Sequence, residues 1–106
     1  MAEHETLTAL SDFVESRDWA QFHTPENLAK SISIESAELL ELFQWGQDAN
    51  TDELVDELAD VLTYCFLLAH KIGVSPEEII LNKLRKTEEK YPVEKAKGKS
   101  TKYDRL

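Results

Sequence analysis

The sequence predicts an all-α fold, a four-helix bundle, and three observations carry that prediction. Apolar residues recur at helical spacing along four segments, and start and stop signals punctuate those segments. No stretch alternates apolar and polar residues as a half-buried strand would. Short connections between the segments favour antiparallel neighbours. At 106 residues the chain has room for one domain with a thin core, which oligomerisation would complete.

The first helix is expected over residues 5–17, with Leu7, Leu10, Phe13 and Val14 at helical spacing. Arg17-Asp18-Trp19-Ala20-Gln21-Phe22-His23 follows without a clean period. Thr24 then reads as an N-cap, with Pro25 at the first helical position and Glu26 favourable to the helix dipole. That second helix is expected to reach Trp45 or Gly46. Asn50 or Thr51 caps the third, which stops at Gly73, a glycine suited to a left-handed C-cap. Ser75-Pro76-Glu77-Glu78 opens a fourth helix that ends before Tyr91-Pro92. Residues 92–106 have little periodicity and are expected to be extended or mobile, or to close over a site.

Composition narrows the function. The formal charge is −9, from 21 acids against 12 bases. Duplex nucleic acid is therefore a poor partner, because affinity for it depends on neutralising phosphates with Lys and Arg. The bases are unevenly placed: residues 83–105 hold nine of them against four acids, leaving only Arg17, Lys30 and Lys71 before that. An acidic body with a basic C-terminal segment suits a metal-bridged small anion. No apolar run approaches the roughly 20 residues that span a bilayer, and the N-terminus lacks the pattern of a signal peptide. The single cysteine, Cys65, fits a reducing compartment, so the expected location is the cytoplasm.

The chemistry concentrates in residues 35–73, where Glu35 and Glu38 precede Glu57 and Asp60. Each pair is three residues apart and shares a helix face. At about 100° per residue, Glu57 falls amid Leu54, Val61, Tyr64, Cys65 and Leu68, with Asp60 towards one side of that arc. The polar back of the helix is then Asp56, Ala59, Thr63 and His70. Glu38 and Glu35 fall likewise among Leu28, Ile34, Leu42 and Trp45. A carboxylate buried without a partner protonates, pairs, or finds a metal. From Ser31 to His70 there is no Lys or Arg, so pairing within the hairpin cannot neutralise four acids. An all-carboxylate donor set favours a hard cation, Mg²⁺ or Mn²⁺, which shares its remaining positions with substrate phosphates.

The spacing Glu35-x-x-Glu38, eighteen residues, Glu57-x-x-Asp60 resembles the metal motif of the all-α MazG-like nucleotide pyrophosphohydrolases. Arg17-Asp18-Trp19-x-Gln21-Phe22-His23, Glu41-Leu42-Phe43-Gln44-Trp45, Asp60-Val61-Leu62-x-Tyr64, Tyr91-Pro92 and Lys102-Tyr103 resemble its dCTP pyrophosphatase branch. The resemblance implies Mg²⁺-dependent hydrolysis of a nucleoside triphosphate, dCTP or a modified dCTP, to the monophosphate and pyrophosphate, by a homotetramer built from dimers. It makes Glu35, Glu38, Glu57 and Asp60 the metal ligands and places Trp19, His23, Trp45 and Tyr64 around base and sugar. Lys83, Lys90, Lys102 and Tyr103 become candidates for phosphate contact or site closure, and Glu41 the candidate base for the attacking water. His4 and His70 are left with surface or structural roles. Two stretches depart from the family pattern: Thr87-Glu88-Glu89-Lys90, and Leu10 where some animal relatives carry a histidine. The alternative function is a non-catalytic nucleotide- or metal-binding helical module.

Overall fold

The computed structural model describes residues 2–106, all of them helix, turn or irregular chain with no strand. They form two compact units, Met1–Pro76 and Glu77–Leu106. Among the described residues no single helix is long and apolar enough to cross a membrane.

The first unit holds α1 (Ala2–Ser16), a 3-10 turn (Ala20–Phe22), α2 (Pro25–Glu41) and α3 (Thr51–Lys71). The capping signals act as read. Thr24 Oγ1 accepts the Asn27 N–H at 3.1 Å, with Pro25 at the first helical position. Asn50 Oδ1 accepts the Glu53 N–H at 3.1 Å. Gly73, at φ +78°, ends α3 in a left-handed turn: Val74 N–H donates to Ala69 O (2.9 Å) and Gly73 N–H to His70 O (3.1 Å). Beyond it the Ser75 hydroxyl donates to Glu3 Oε1 of α1 at 2.7 Å.

The helices meet at Val14 of α1, Leu28 of α2 and Leu67 of α3, with Leu10, Tyr64 and Leu68 packed around them. α3 is central. Its Glu57 side faces α2, whereas the face read from sequence as a polar back faces α1: Ala59, Thr63 and Phe66 line a hollow with Thr6 and Leu10, and His70 meets Ser11. Of that face Thr63 is half-buried, spending its hydroxyl on Ala59 O (2.8 Å), whereas Asp56, Ala59 and His70 stay exposed as read. α2 was placed correctly but its arc is rotated. Leu28, Ser31, Glu35, Leu39 and Leu42 form the covered stripe, while Ile34 and Glu38 are exposed.

α2 is also shorter than expected. After Glu41 the bonds tighten to the i→i+3 type, as in Phe43 N–H to Leu40 O (3.0 Å) and Gln44 N–H to Glu41 O (3.1 Å). This swings Trp45 off the helix and leaves it 92% exposed, which removes it from the core.

The second unit holds most of α4 (Pro76–Lys90), α5 (Val93–Ala96) and a 3-10 turn (Tyr103–Arg105). Within residues 92–106, Val93–Ala96 and Tyr103–Arg105 are short helical turns, and the chain between them is irregular. The Tyr103 ring meets Tyr91 edge-on at 6.1 Å, its N–H donates to the Tyr91 hydroxyl at 3.2 Å, and Lys90 Nζ lies 4.6 Å over it. Aromatic pairing, invisible to a periodicity count, supplies the tie.

Candidate functional site

α2 and α3 face each other along the stripe that contains Glu35 and Glu57. Glu35, Glu57 and Asp60 each bring a carboxylate oxygen to within 4.8 Å of the other two. Glu38 stands close enough to Glu35 and Glu57 to raise both carboxyls. Glu35 and Glu57 are half-buried in the helix interface, and Glu38 and Asp60 stand at its rim. The four predicted ligands are thus brought together, two from each helix.

Their electrostatics show that the group is under-neutralised. The Glu35 carboxyl is pushed up to about 7, by its hydrogen bond with Glu38 first, then by burial and by the neighbouring negative charges. Burial raises Glu57, with the charges of Glu38 and Asp60 adding to it. One oxygen of each of these two side chains, Oε2, is sealed from solvent and accepts no hydrogen bond. The nearest base in sequence, Lys30, sits 3.8 Å from Glu26 at the start of α2. Sealed, unpartnered oxygens in an all-oxygen donor set fit a hard divalent cation, and the arrangement can hold one among Glu35, Glu38, Glu57 and Asp60.

Beside this group lies a hollow of about 390 Å³ lined by Leu10, Phe13, Val14, Trp19, His23, Asp60, Thr63, Tyr64 and Leu67. Asp60 belongs to both, so the hollow opens onto the acids. The stretch from Arg17 to His23, without period in the sequence, builds its wall. Asp18 takes φ +54°, a left-handed turn that ends α1, with Trp19 N–H donating to Val14 O (3.0 Å). Gln21 Nε2 fixes that turn through Asp18 O and Asp18 Oδ2, both at 3.0 Å. Trp19 is thereby thrown back edge-on against Phe13, 5.5 Å between ring centres, and Arg17 covers the Phe13 ring at 3.8 Å. Phe13 reads as core from its spacing, but it forms one side of the hollow; only its place one turn before Arg17 hinted at that.

Three of the four residues expected around a base, Trp19, His23 and Tyr64, line this hollow, and Trp45 does not. Glu41 is exposed at the end of α2 and lines a different depression, with Ala37, Leu40, Phe43 and Gln44, apart from the gathered acids. Lys90 and Tyr103 are drawn together in the second unit, where Lys102 precedes the Tyr103–Arg105 turn. Lys83 borders an apolar depression with Ile79, Ile80, Leu84 and Thr87.

Comparison with known proteins identifies the family of the chain. The MazG-like family model matches residues 30–106. The dCTP pyrophosphatases 1 of Rattus norvegicus and Homo sapiens are each 36% identical to the chain, in alignments that cover 91% of this chain but 62% of either relative, so the chain spans less than two thirds of their length. A crystal structure of a pyrophosphatase from Archaeoglobus fulgidus superposes with a TM-score of 0.82 at 42% identity, covering 87% of this chain and 94% of that one. The chain belongs to the MazG-like family.

Proposed function

We propose that the protein hydrolyses a nucleoside triphosphate, dCTP or a base-modified dCTP, to the monophosphate and pyrophosphate, with Mg²⁺ held by Glu35, Glu38, Glu57 and Asp60. The observation that carries this reading is the shared residue: Asp60 belongs both to an acid group with unsatisfied buried oxygens and to an aromatic hollow. Relatives named as dCTP pyrophosphatases support the substrate class.

Each residue has a physical role in this reading. A divalent metal held by these acids would neutralise charge at the phosphate oxygens and activate the attacking water. Trp19 and Tyr64 offer aromatic faces to a base, whose stacking is worth about 1–3 kcal/mol, and His23 offers a hydrogen-bonding edge. Lys90, over the Tyr103 ring, and Lys102, next to Tyr103 in sequence, are point charges suited to phosphate.

The assembly is proposed as a homotetramer, supported by how little one chain buries. Leu40 is 70% exposed and Ile80 63%, and Val14, Leu28, Leu67 and Ala69 are the buried apolar side chains among the described residues. Trp45, exposed at the α2–α3 turn, would contact substrate or a neighbouring copy only in such an assembly. Light scattering should give a mass several times 12.1 kDa; a monomer would sink this part.

The function is tested by incubating the protein with a panel of triphosphates and Mg²⁺ and measuring products. Pyrophosphate and monophosphate are expected. Release of orthophosphate would show a different scissile bond, and no product from any nucleotide would favour the binding-module alternative.

A further inference from the structure

A second hollow, of about 280 Å³, adjoins the first and has a different lining: Ser11, Glu15, His23, His70 and Lys71 over an apolar floor of Val14 and Leu67. The two hollows share Val14, His23 and Leu67, so these three residues border both. Inside the second, Ser11 Oγ and His70 Nε2 lie 3.3 Å apart. That pair joins α1 to α3.

α3 works as a ruler for whatever lies along it. At 1.5 Å per residue, Leu67 is about 10 Å and His70 about 15 Å beyond Asp60 along the helix. The acids mark the phosphate end, Tyr64 and Leu67 the base, and His70 with Lys71 the space beyond the base. We infer that this second hollow receives a polar substituent on the outer edge of the base, making the Ser11–His70 pair a specificity element for base-modified nucleotides. The inference rests on the reading above, that a triphosphate is held at the acids with its base in the aromatic hollow.

The chemistry of the pair defines the substituent. If the Ser11 hydroxyl donates to His70 Nε2, the serine oxygen remains free to accept; with the other tautomer, Nε2–H donates and the hydroxyl is free to donate. Such a pair suits a hydroxyl or amino group, which can do either. An anion is a poorer fit, because Glu15 lines the same hollow and offsets Lys71. A plain methyl group would gain contact with Val14 and Leu67 but would leave the polar pair without a partner.

The test compares dCTP, 5-methyl-dCTP and 5-hydroxymethyl-dCTP with Mg²⁺, by kcat/KM for pyrophosphate release and by calorimetric binding in the presence of Ca²⁺. The hydroxymethyl nucleotide should be favoured over the methyl one by roughly three- to tenfold, the worth of one neutral hydrogen bond. Ser11→Ala and His70→Leu should each collapse that ratio towards one, and His70→Gln, which keeps a donor and an acceptor, should restore part of it. Turnover of all three nucleotides with a ratio that is absent, or that survives both variants, overturns the inference and leaves the proposed reaction standing. No turnover and no binding of any nucleotide overturns both.

Discussion

The two halves of α3 present one continuous face and use it in opposite ways. Towards its N-terminus that face carries Glu57 and Asp60, with a sealed and unpartnered oxygen on Glu57. Towards its C-terminus it carries Leu67, buried, and Leu68, packed against the same core. The first half gives up stability to gather like charges; the second supplies the packing that holds them together. A helix serving both needs must be covered on two sides, which is why α1 packs against its Ala59–Thr63–His70 face and α2 against its Glu57 face.

The sharpest way to break this contrast is to neutralise the charged half. Asp60→Asn should lower turnover by about a hundredfold or more, since a metal ligand at the rim of the substrate hollow is lost. Its thermal unfolding temperature without metal should be unchanged or higher, because removing one of several crowded like charges relieves the fold. Near-normal turnover would remove the metal assignment. The packed half should respond the other way. Leu67→Ala removes a buried side chain from the junction of α1, α2 and α3 and should cost about 2–5 kcal/mol in denaturant unfolding. If it spares stability, the core has been misplaced.

Protons and metal sharpen the same comparison. The Glu35 carboxyl binds its proton more tightly folded than unfolded, with a pKa raised from 4.5 to about 7. Its contribution to stability is therefore full below pH 4.5 and is lost as pH rises through 7. The metal-free protein should become less stable across that window, and Glu35→Gln should flatten the loss. Mg²⁺ should raise the unfolding temperature above pH 7 and have little effect near pH 5, because the metal needs the ionised carboxylates. Equal stabilisation at both pH values would place the ion elsewhere.

Much of this was legible in the sequence, for identifiable reasons. The caps at Thr24, Asn50 and Gly73 are local chemistry, which a sequence carries in full. Spacing and the absence of any base from Ser31 to His70 were enough to place four acids on facing helices. What stayed hidden depended on partners distant in the chain. Thr63 read as part of a solvated back because Leu10, with which it lines a hollow, lies on α1 more than fifty residues earlier. The segment from Arg17 to His23 has no period because it is a left-handed turn at Asp18, locked by Gln21, followed by a single 3-10 turn. The C-terminal segment looked unstructured because one tyrosine pair ties it down.

Trp45 gives the smallest expected change in stability and separates two uses of an aromatic residue. Helical spacing placed it beside Glu38; the tightened turn after Glu41 instead exposes nearly all of it. A side chain that touches so little of its own fold adds little to stability, so Trp45→Ala should shift unfolding by no more than about 0.5 kcal/mol. Conservation of a well-folded protein would then isolate its other role. If Trp45 meets substrate across an assembly, KM should rise several-fold with the mass unchanged. If it holds copies together, the mass should fall first and activity with it. Measuring both on one preparation tells which surface the exposed indole serves, and a variant altered in neither would leave the aromatic hollow of α1 and α3 to bind the base alone.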